Sequence, residues 1–369
     1  MLSPYALCTF NDLTEYLAGQ DTIPATQQAL VEHLINRWGR WAGARCNRFF
    51  GQNVYVNELH SGTGRQIFML NQPPVWSVKQ ISMLTAPGTW GLIIDPSEYW
   101  LQDTDLGAVG QNVGTQGTGQ NAGGGMDGMV WRERGWWAGL LETPGLVTNE
   151  PHPWAIRQNI SSTYVGGWAL PRDFATLTAT PASGGSLVSG TYYYRITQVI
   201  TVTVMLNQIA FTIVAEPIIS PEISATLGAG QGTVNLAWGG QPPIPAPGPG
   251  STSFAAVSGT VATAYRIYRG AFPGGESVYY QTTDLTSMIF ADTGAASTAG
   301  IPPVDLPDDL RGALMQIVAG QYKLRAKQGI ASEVFAEGGG SLNIKYDRAF
   351  KDATDVIDQY RLAHTVVGI

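Results

Sequence analysis

Apolar residues keep a helical period only at the two ends of this chain, and the sequence between them is patterned for strands. A period near 3.6 buries one stripe of a helix, and a period of 2 buries one face of a strand. An apolar stripe needs a partner face, so the economical assembly is a helical base built from both ends with strand-rich sequence inserted between them. At the start, Thr9 and Asp12 have the spacing of a capping box, Leu13 and Leu17 share a face, and Gly19 supplies a stop. From about Ala25 to Phe50, the residues Leu30, Leu34, Trp38, Trp41, Ala42, Cys46 and Phe49 recur at spacings of three and four, the mark of one buried stripe. Arg37, Arg40, Arg45 and Arg48 fall on the polar face, either as a solvated surface or as a contact with another subunit, since arginine is enriched at interfaces. At the far end, Leu310, Leu314, Ile317, Val318 and Leu324 follow Pro307, and Gly329 ends the run. A last helix starts near Asp352 with Val356, Ile357, Tyr360 and Ala363 on one face; Asp352, Asp355 and Asp358 sit toward its beginning, where the macrodipole favours them.

Strand candidates fill residues 54 to 165: Val54–Val56, Gln66–Leu70, Val75–Leu84, Met129–Arg132, and Ile156–Val165 with Ile160, Ser162 and Tyr164 alternating. Residues 107–128 hold nine glycines and few apolar anchors, which predicts a long mobile loop. Residues 174–304 change composition again, with Arg195, Arg266 and Arg269 as the only basic residues and no Lys, His or Cys. Six strand candidates lie there: Thr191–Thr197, Gln208–Ala215, Thr233–Trp238, Ala264–Tyr268, Ser277–Gln281 and Ser287–Ala291. They predict a separate antiparallel β-sandwich, with Gln241–Ser251 as an extended Pro/Gly-rich loop. The fold class is α+β: a discontinuous helical-bundle base with a strand-rich section over 1–173, an inserted all-β sandwich over 174–304, and the second part of the base over 305–369.

Composition narrows the function. The 369 residues allow two or three domains at about 150 residues each. Charged residues make up 13%, about half of the usual 25% or so, and the net charge is -7, so the chain carries no basic footprint for holding nucleic acid. Two cysteines, Cys8 and Cys46, cannot frame a disulfide-stapled fold and fit a reducing compartment. No apolar run approaches the roughly 18 residues that span a bilayer, and Met1–Tyr5 does not open a secretory signal.

The chemistry-bearing residues are scattered. No G-x-S-x-G, P-loop, H-E-x-x-H or C-x-x-C occurs, and His33, His60, His152 and His364 stand apart in sequence. Asp95 with Glu98, and Asp103 with Asp105, are candidate acid pairs, although Asp95-Pro96-Ser97-Glu98 is also turn chemistry. Gly117-Thr118-Gly119 has no helix pattern after it to make a phosphate cradle. Trp131, Trp136, Trp137, Trp154 and Trp168 offer either a sugar-stacking platform or core and interface aromatics. No catalytic residue, cofactor or metal is assigned.

The order of segments resembles the head-tail connector (adaptor) family of tailed bacteriophages. The likeness is carried by Asp12-Leu13-Thr14-Glu15-Tyr16-Leu17, by Ala44-Arg45-Cys46-Asn47-Arg48-Phe49-Phe50, and by Pro73-Pro74-Val75-Trp76-Ser77-Val78. It continues in Tyr164-Val165-Gly166-Gly167-Trp168, Pro307-Asp308-Asp309-Leu310, Gly329-Ile330-Ala331-Ser332-Glu333 and Val356-Ile357-Asp358-Gln359-Tyr360-Arg361. The intervening Gly190–Tyr194, Ala264–Arg269 and Phe290–Gly294 are similar to fibronectin type III-like modules of phage structural proteins. The resemblance implies a structural protein of the virion neck, assembled in the host cytoplasm. It would form a homo-oligomeric ring, commonly a dodecamer, beneath the portal protein. Genomic DNA would pass through the ring without sequence-specific binding, and tail, stopper or tail-terminator proteins would dock on it. No membrane is involved.

By the same resemblance, Val356, Tyr360, Arg361 and His364 would contact the portal, and Arg37, Trp41, Arg45 and Arg48 the neighbouring subunit. Two other classes stay open on the residues: a secreted or surface carbohydrate-binding protein using the tryptophans, and a hydrolase with a carboxylate site.

Overall fold

A computed structural model describes residues 2–3, 5–18, 22–62, 65–86, 89–102, 128–136, 159–174, 176–206, 209–239, 255–256, 262–324 and 342–361. Among them the chain is mixed α+β, with four α-helices and many strands in several sheets.

Both ends contribute to one helical core. Helix α1 (Phe10–Tyr16) begins at Thr9, whose hydroxyl accepts the Asp12 N–H at 3.1 Å while the Asp12 carboxylate accepts the Thr9 N–H at 2.7 Å. Both orphan donors of the first turn are thereby satisfied, as the spacing predicts. Helix α2 (Gln28–Cys46) ends at Asn47 in the left-handed region (φ 53°), where the Arg48 N–H donates to the Gly43 carbonyl at 3.0 Å. Its buried face is Val31, Ile35, Gly39, Ala42, Gly43 and Cys46; Leu34, Trp38 and Trp41 lie at the margin and Leu30 is 42% exposed. The stripe is therefore turned from the one expected. The large side chains marked the margin, whereas closest approach occurs over glycine: a Cβ on Gly39 would stand 2.0 Å from the Tyr5 carbonyl oxygen.

The strand section between residues 53 and 166 forms two sheets. Strands β1 (Asn53–His60), β3 (Val75–Ala86), β4 (Thr89–Ile93) and β7 (Ile160–Gly166) are antiparallel neighbours in the order β1-β7-β3-β4. Strands β2 (Ile67–Met69), β5 (Trp100–Gln102) and β6 (Met129–Trp131) form a small sheet in the order β2-β6-β5. Leu70, Val75, Ile81, Val130, Trp136, Ile160 and Tyr164 are buried together between them. Strand β7 was expected to alternate, yet all seven of its residues are buried, because its other face is covered as well.

That cover comes from the later sequence. Strand β8 (Leu170–Pro171) leads into β9 (Thr178–Gly185), β10 (Gly190–Leu206), β11 (Ile209–Ile219), β12 (Ile223–Leu227) and β13 (Gln231–Ala237). After them come β14 (Ala255–Ala256), β15 (Ala264–Gly270), β16 (Glu276–Thr282), β17 (Ile289–Asp292) and β18 (Thr298–Ala299). A large sheet runs β18-β16-β15-β10-β11-β8 with β12 also on β10, and a smaller one runs β17-β13-β9. Tyr194, Ile196, Val234, Leu236, Trp238, Tyr265 and Ile267 are among the buried residues that form their shared core. Strand β10 is far longer than the seven residues expected. Its first half pairs with β12 and its second half with β11, and this hairpin lays Ile200, Val202, Val204, Ile213 and Ala215 against Val54, Trp76 and Val165 of the first sheet. Strand β14 also crosses over to pair with β1. Strand β9, missed in the sequence because of Pro181 and its terminal glycines, is an edge strand, where proline is tolerated.

The chain returns beside its exit: the Ala169 N–H donates to the Val304 carbonyl at 3.1 Å. Helix α3 (Asp308–Leu324) then buries Leu310, Leu314, Ile317 and Val318 against α1 and α2. Helix α4 (Leu342–Gln359) adds Ala353 and Ile357 to the same core. It begins ten residues before the expected start at Asp352, so the three aspartates occupy its middle and end, and the macrodipole does not account for them. Gly19, Gly329, Ala363, the Gln241–Ser251 loop and all of the 107–128 loop except Gly128 lie outside the described residues.

Candidate functional site

The margin of α2 and the body of α4 bring three of the expected contact residues, Arg37, Trp41 and Arg45, into one region. Trp38 and Trp41 meet edge to face (5.3 Å, 76°), and Phe350 of α4 closes the group at 5.6 Å from Trp38 and 6.1 Å from Trp41. Three guanidinium groups lie over aromatic rings: Arg37 over Trp38 (5.7 Å), Arg40 over Tyr5 (5.4 Å) and Arg45 over Trp41 (5.4 Å). Arg45 also grips Asp358 of α4 through two hydrogen bonds of 2.6 Å. That fork holds the Asp358 carboxyl below the ordinary carboxylate range and raises Arg45.

Arg48 departs from its expected role as a subunit contact. It is buried inside the chain, over the adjoining rings of Phe50 (5.2 Å) and Trp168 (4.5 Å), and donates to the Pro73 carbonyl. Burial pushes it down to about 10. Of the residues expected at the portal, Val356 and Tyr360 are half-buried against the helical core; Tyr360 meets Trp168 edge to face at 5.9 Å and donates to Asp309 at 2.6 Å. Arg361 is exposed, and His364 lies outside the described residues.

The candidate catalytic groups have other partners. His60 turns one nitrogen, Nε2, toward both Ser162 Oγ (2.8 Å) and Glu58 Oε2 (3.2 Å), and Glu58 accepts the Tyr164 hydroxyl at 2.5 Å. A relay needs the acid and the nucleophile on opposite ring nitrogens, and all four side chains are buried. Asp95 caps its own turn, accepting the Ser97 N–H at 2.8 Å and the Ser97 hydroxyl at 2.7 Å, which lowers its pKa. Glu98 pairs with Arg132 at 2.8 Å. Asp103, Asp105, His152, Trp137, Trp154 and Gly117–Gly119 lie outside the described residues, and His33 is exposed on α2. Trp136 and Trp168 are core residues, while Trp131 packs on Trp100 at 4.8 Å, half-buried.

Sequence counting gave the inserted region three arginines but not their partners. Each arginine is tied to a buried carboxylate: Arg266 to Glu216 at 2.5 Å, Arg269 to Asp292 at 3.0 Å, and Arg195 to Glu276 at 3.4 Å. Arg195 also reaches Asp305 at 2.5 Å, joining β10 to the segment that enters α3. Arg266 and Arg269 are three residues apart on β15 and so lie on opposite faces of the strand, and no strand period in the sequence marks both as paired with buried carboxylates.

No group of three or more His, Cys, Asp or Glu residues is placed to hold a metal ion among the described residues, and no described helix is long and apolar enough to cross a membrane. No protein family, curated protein or solved structure matches the chain.

Proposed function

We propose that this chain is a structural head-tail adaptor of a tailed-phage virion, a subunit of a ring beneath the portal that extends the DNA channel and receives tail or stopper proteins. One observation carries the reading. Helices from residues 10–46 and 308–359 share a single core across the intervening strands, the discontinuous base that the segment order implies. The engagement of His60, Ser162, Glu58, Asp95 and Glu98 in structural contacts favours an assembly role over hydrolysis.

The two sheets over residues 178–299 are, in this proposal, an inserted immunoglobulin or fibronectin type III-like module on the outside of the ring. Arg361, exposed just past the end of α4, and His364 would meet the portal. Negative-stain electron microscopy of the full chain, alone and mixed with portal rings, tests the reading. Stacked symmetric rings with peripheral knobs are expected, and monomers that ignore the portal would overturn it.

A further inference from the structure

We propose that copies of this chain join head to tail, the cationic and aromatic face of α2 and α4 in one copy seating on the acidic edge of α1 and α3 in the next. The inference rests on the oligomeric reading above and names the surfaces that make the contact.

The first surface is the side of α2 opposite Val31, Ile35, Ala42 and Cys46. It presents Leu30 (42% exposed), His33, Arg37 and Arg40, with Phe350 of α4 (38% exposed) at its shoulder. Arg37 and Arg40 make no ion pair among the described residues; each instead lies over an aromatic ring. Guanidinium groups held over rings keep their charge and lose little freedom on meeting a carboxylate. An arginine and aromatic surface with apolar side chains beside it has the composition of an interface core.

The second surface carries the opposite charge. Asp12 of α1 and Arg311 of α3 are linked at 3.5 Å, which brings the two helices together there. Flanking that link are Glu15 and Asp308, both exposed and neither in an ion pair among the described residues, and Tyr16, a large side chain left 43% exposed. Each surface thus offers charge that the other lacks and an apolar group to cover.

The charge pattern also says which surfaces can meet. A two-fold dimer through α2 would set Arg37 and Arg40 against their own copies, and one through the acidic edge would oppose Glu15 and Asp308 in the same way. The cationic face must therefore seat on the acidic edge of another copy; made reciprocally about a two-fold axis this contact stops at a dimer, and made head to tail it propagates into the ring that the adaptor reading requires.

Charge reversal of the full chain provides the test, read by mass photometry and microscopy with and without portal rings. Arg37→Glu with Arg40→Glu, and separately Glu15→Lys with Asp308→Lys, are each expected to weaken self-association on the order of 100-fold, since like charges meet across the contact. Mixing the two variants restores alternating assemblies because every contact is complementary again, and placing all four substitutions in one chain restores them too. All four side chains are exposed, and unchanged thermal unfolding checks that the variants fold. If wild type assembles and the reversed variants assemble equally well, the contact is wrong and the adaptor reading survives. If the arginine variant assembles normally but loses portal binding, the face belongs to the portal and the proposal is overturned. If wild type assembles under neither condition, both readings fall.

Discussion

At Gly39 the absence of a side chain holds the N-terminal segment against α2. Alanine is the better helix former by about 1 kcal/mol, yet its Cβ would enter the Tyr5 carbonyl at 2.0 Å. Gly39→Ala is therefore expected to destabilise by about 1–3 kcal/mol, the range for overpacking, as measured by urea denaturation. The two cysteines give a second outcome. Cys8 and Cys46 are both buried and free; burial raises Cys8 far above the ordinary thiol range and pushes Cys46 up to about 11. Neither supplies thiolate near neutral pH, so a thiol reagent at pH 8 should label none in the native protein and two after denaturation. Residue identity alone revealed little of this. The Tyr5–Gly39 approach joins positions 34 apart, and no local pattern encodes which glycine a distant backbone will touch.

The elements were legible to the extent that their causes are local. The reciprocal cap of α1 and the apolar repeat of α3 are each set by residues a few positions apart and were found. The face of α2, the start of α4 and the complete burial of β7 depend on what packs against them and were not. The charged struts of the inserted sheets belong to the same class of long-range fact. Glu276 shows their cost: burial and its neighbour Glu222 raise its pKa above the ordinary 4.5, although Arg195 lies 3.4 Å away. Between the ordinary and the raised value the folded chain holds a proton that the unfolded chain has released, so stability falls as pH rises through that interval. Glu276→Gln should flatten this part of the pH profile, raising the melting temperature at pH 7 and leaving it unchanged near pH 3; equal losses at both would show that the carboxylate itself is needed. The same direction applies to Asp305, raised by its burial, so the profile flattens without becoming level.

For the whole molecule, helices at the two ends and strands between were visible in the change of period, because burial imposes period on sequence. The stitching of the inserted sheets to the first sheet, through β14 and the β10–β11 hairpin, was not, since both faces of a central strand look alike in sequence. A chain ending at residue 173 would lack α3 and leave Leu13, Val31, Ile35 and Cys46 without their cover. Expressed alone, it is expected to be insoluble or to bind hydrophobic dyes strongly, and a soluble fragment with a cooperative melt would refute that dependence. The shared core also sets a clock on biosynthesis. About 260 residues separate the end of α2 from the start of α3, and at about 5–20 residues per second a ribosome needs roughly 13–50 s to deliver them. For that time the first helices emerge into the cell with their apolar faces bare, so a nascent chain of this design depends on chaperone shelter until nearly its last helix is made.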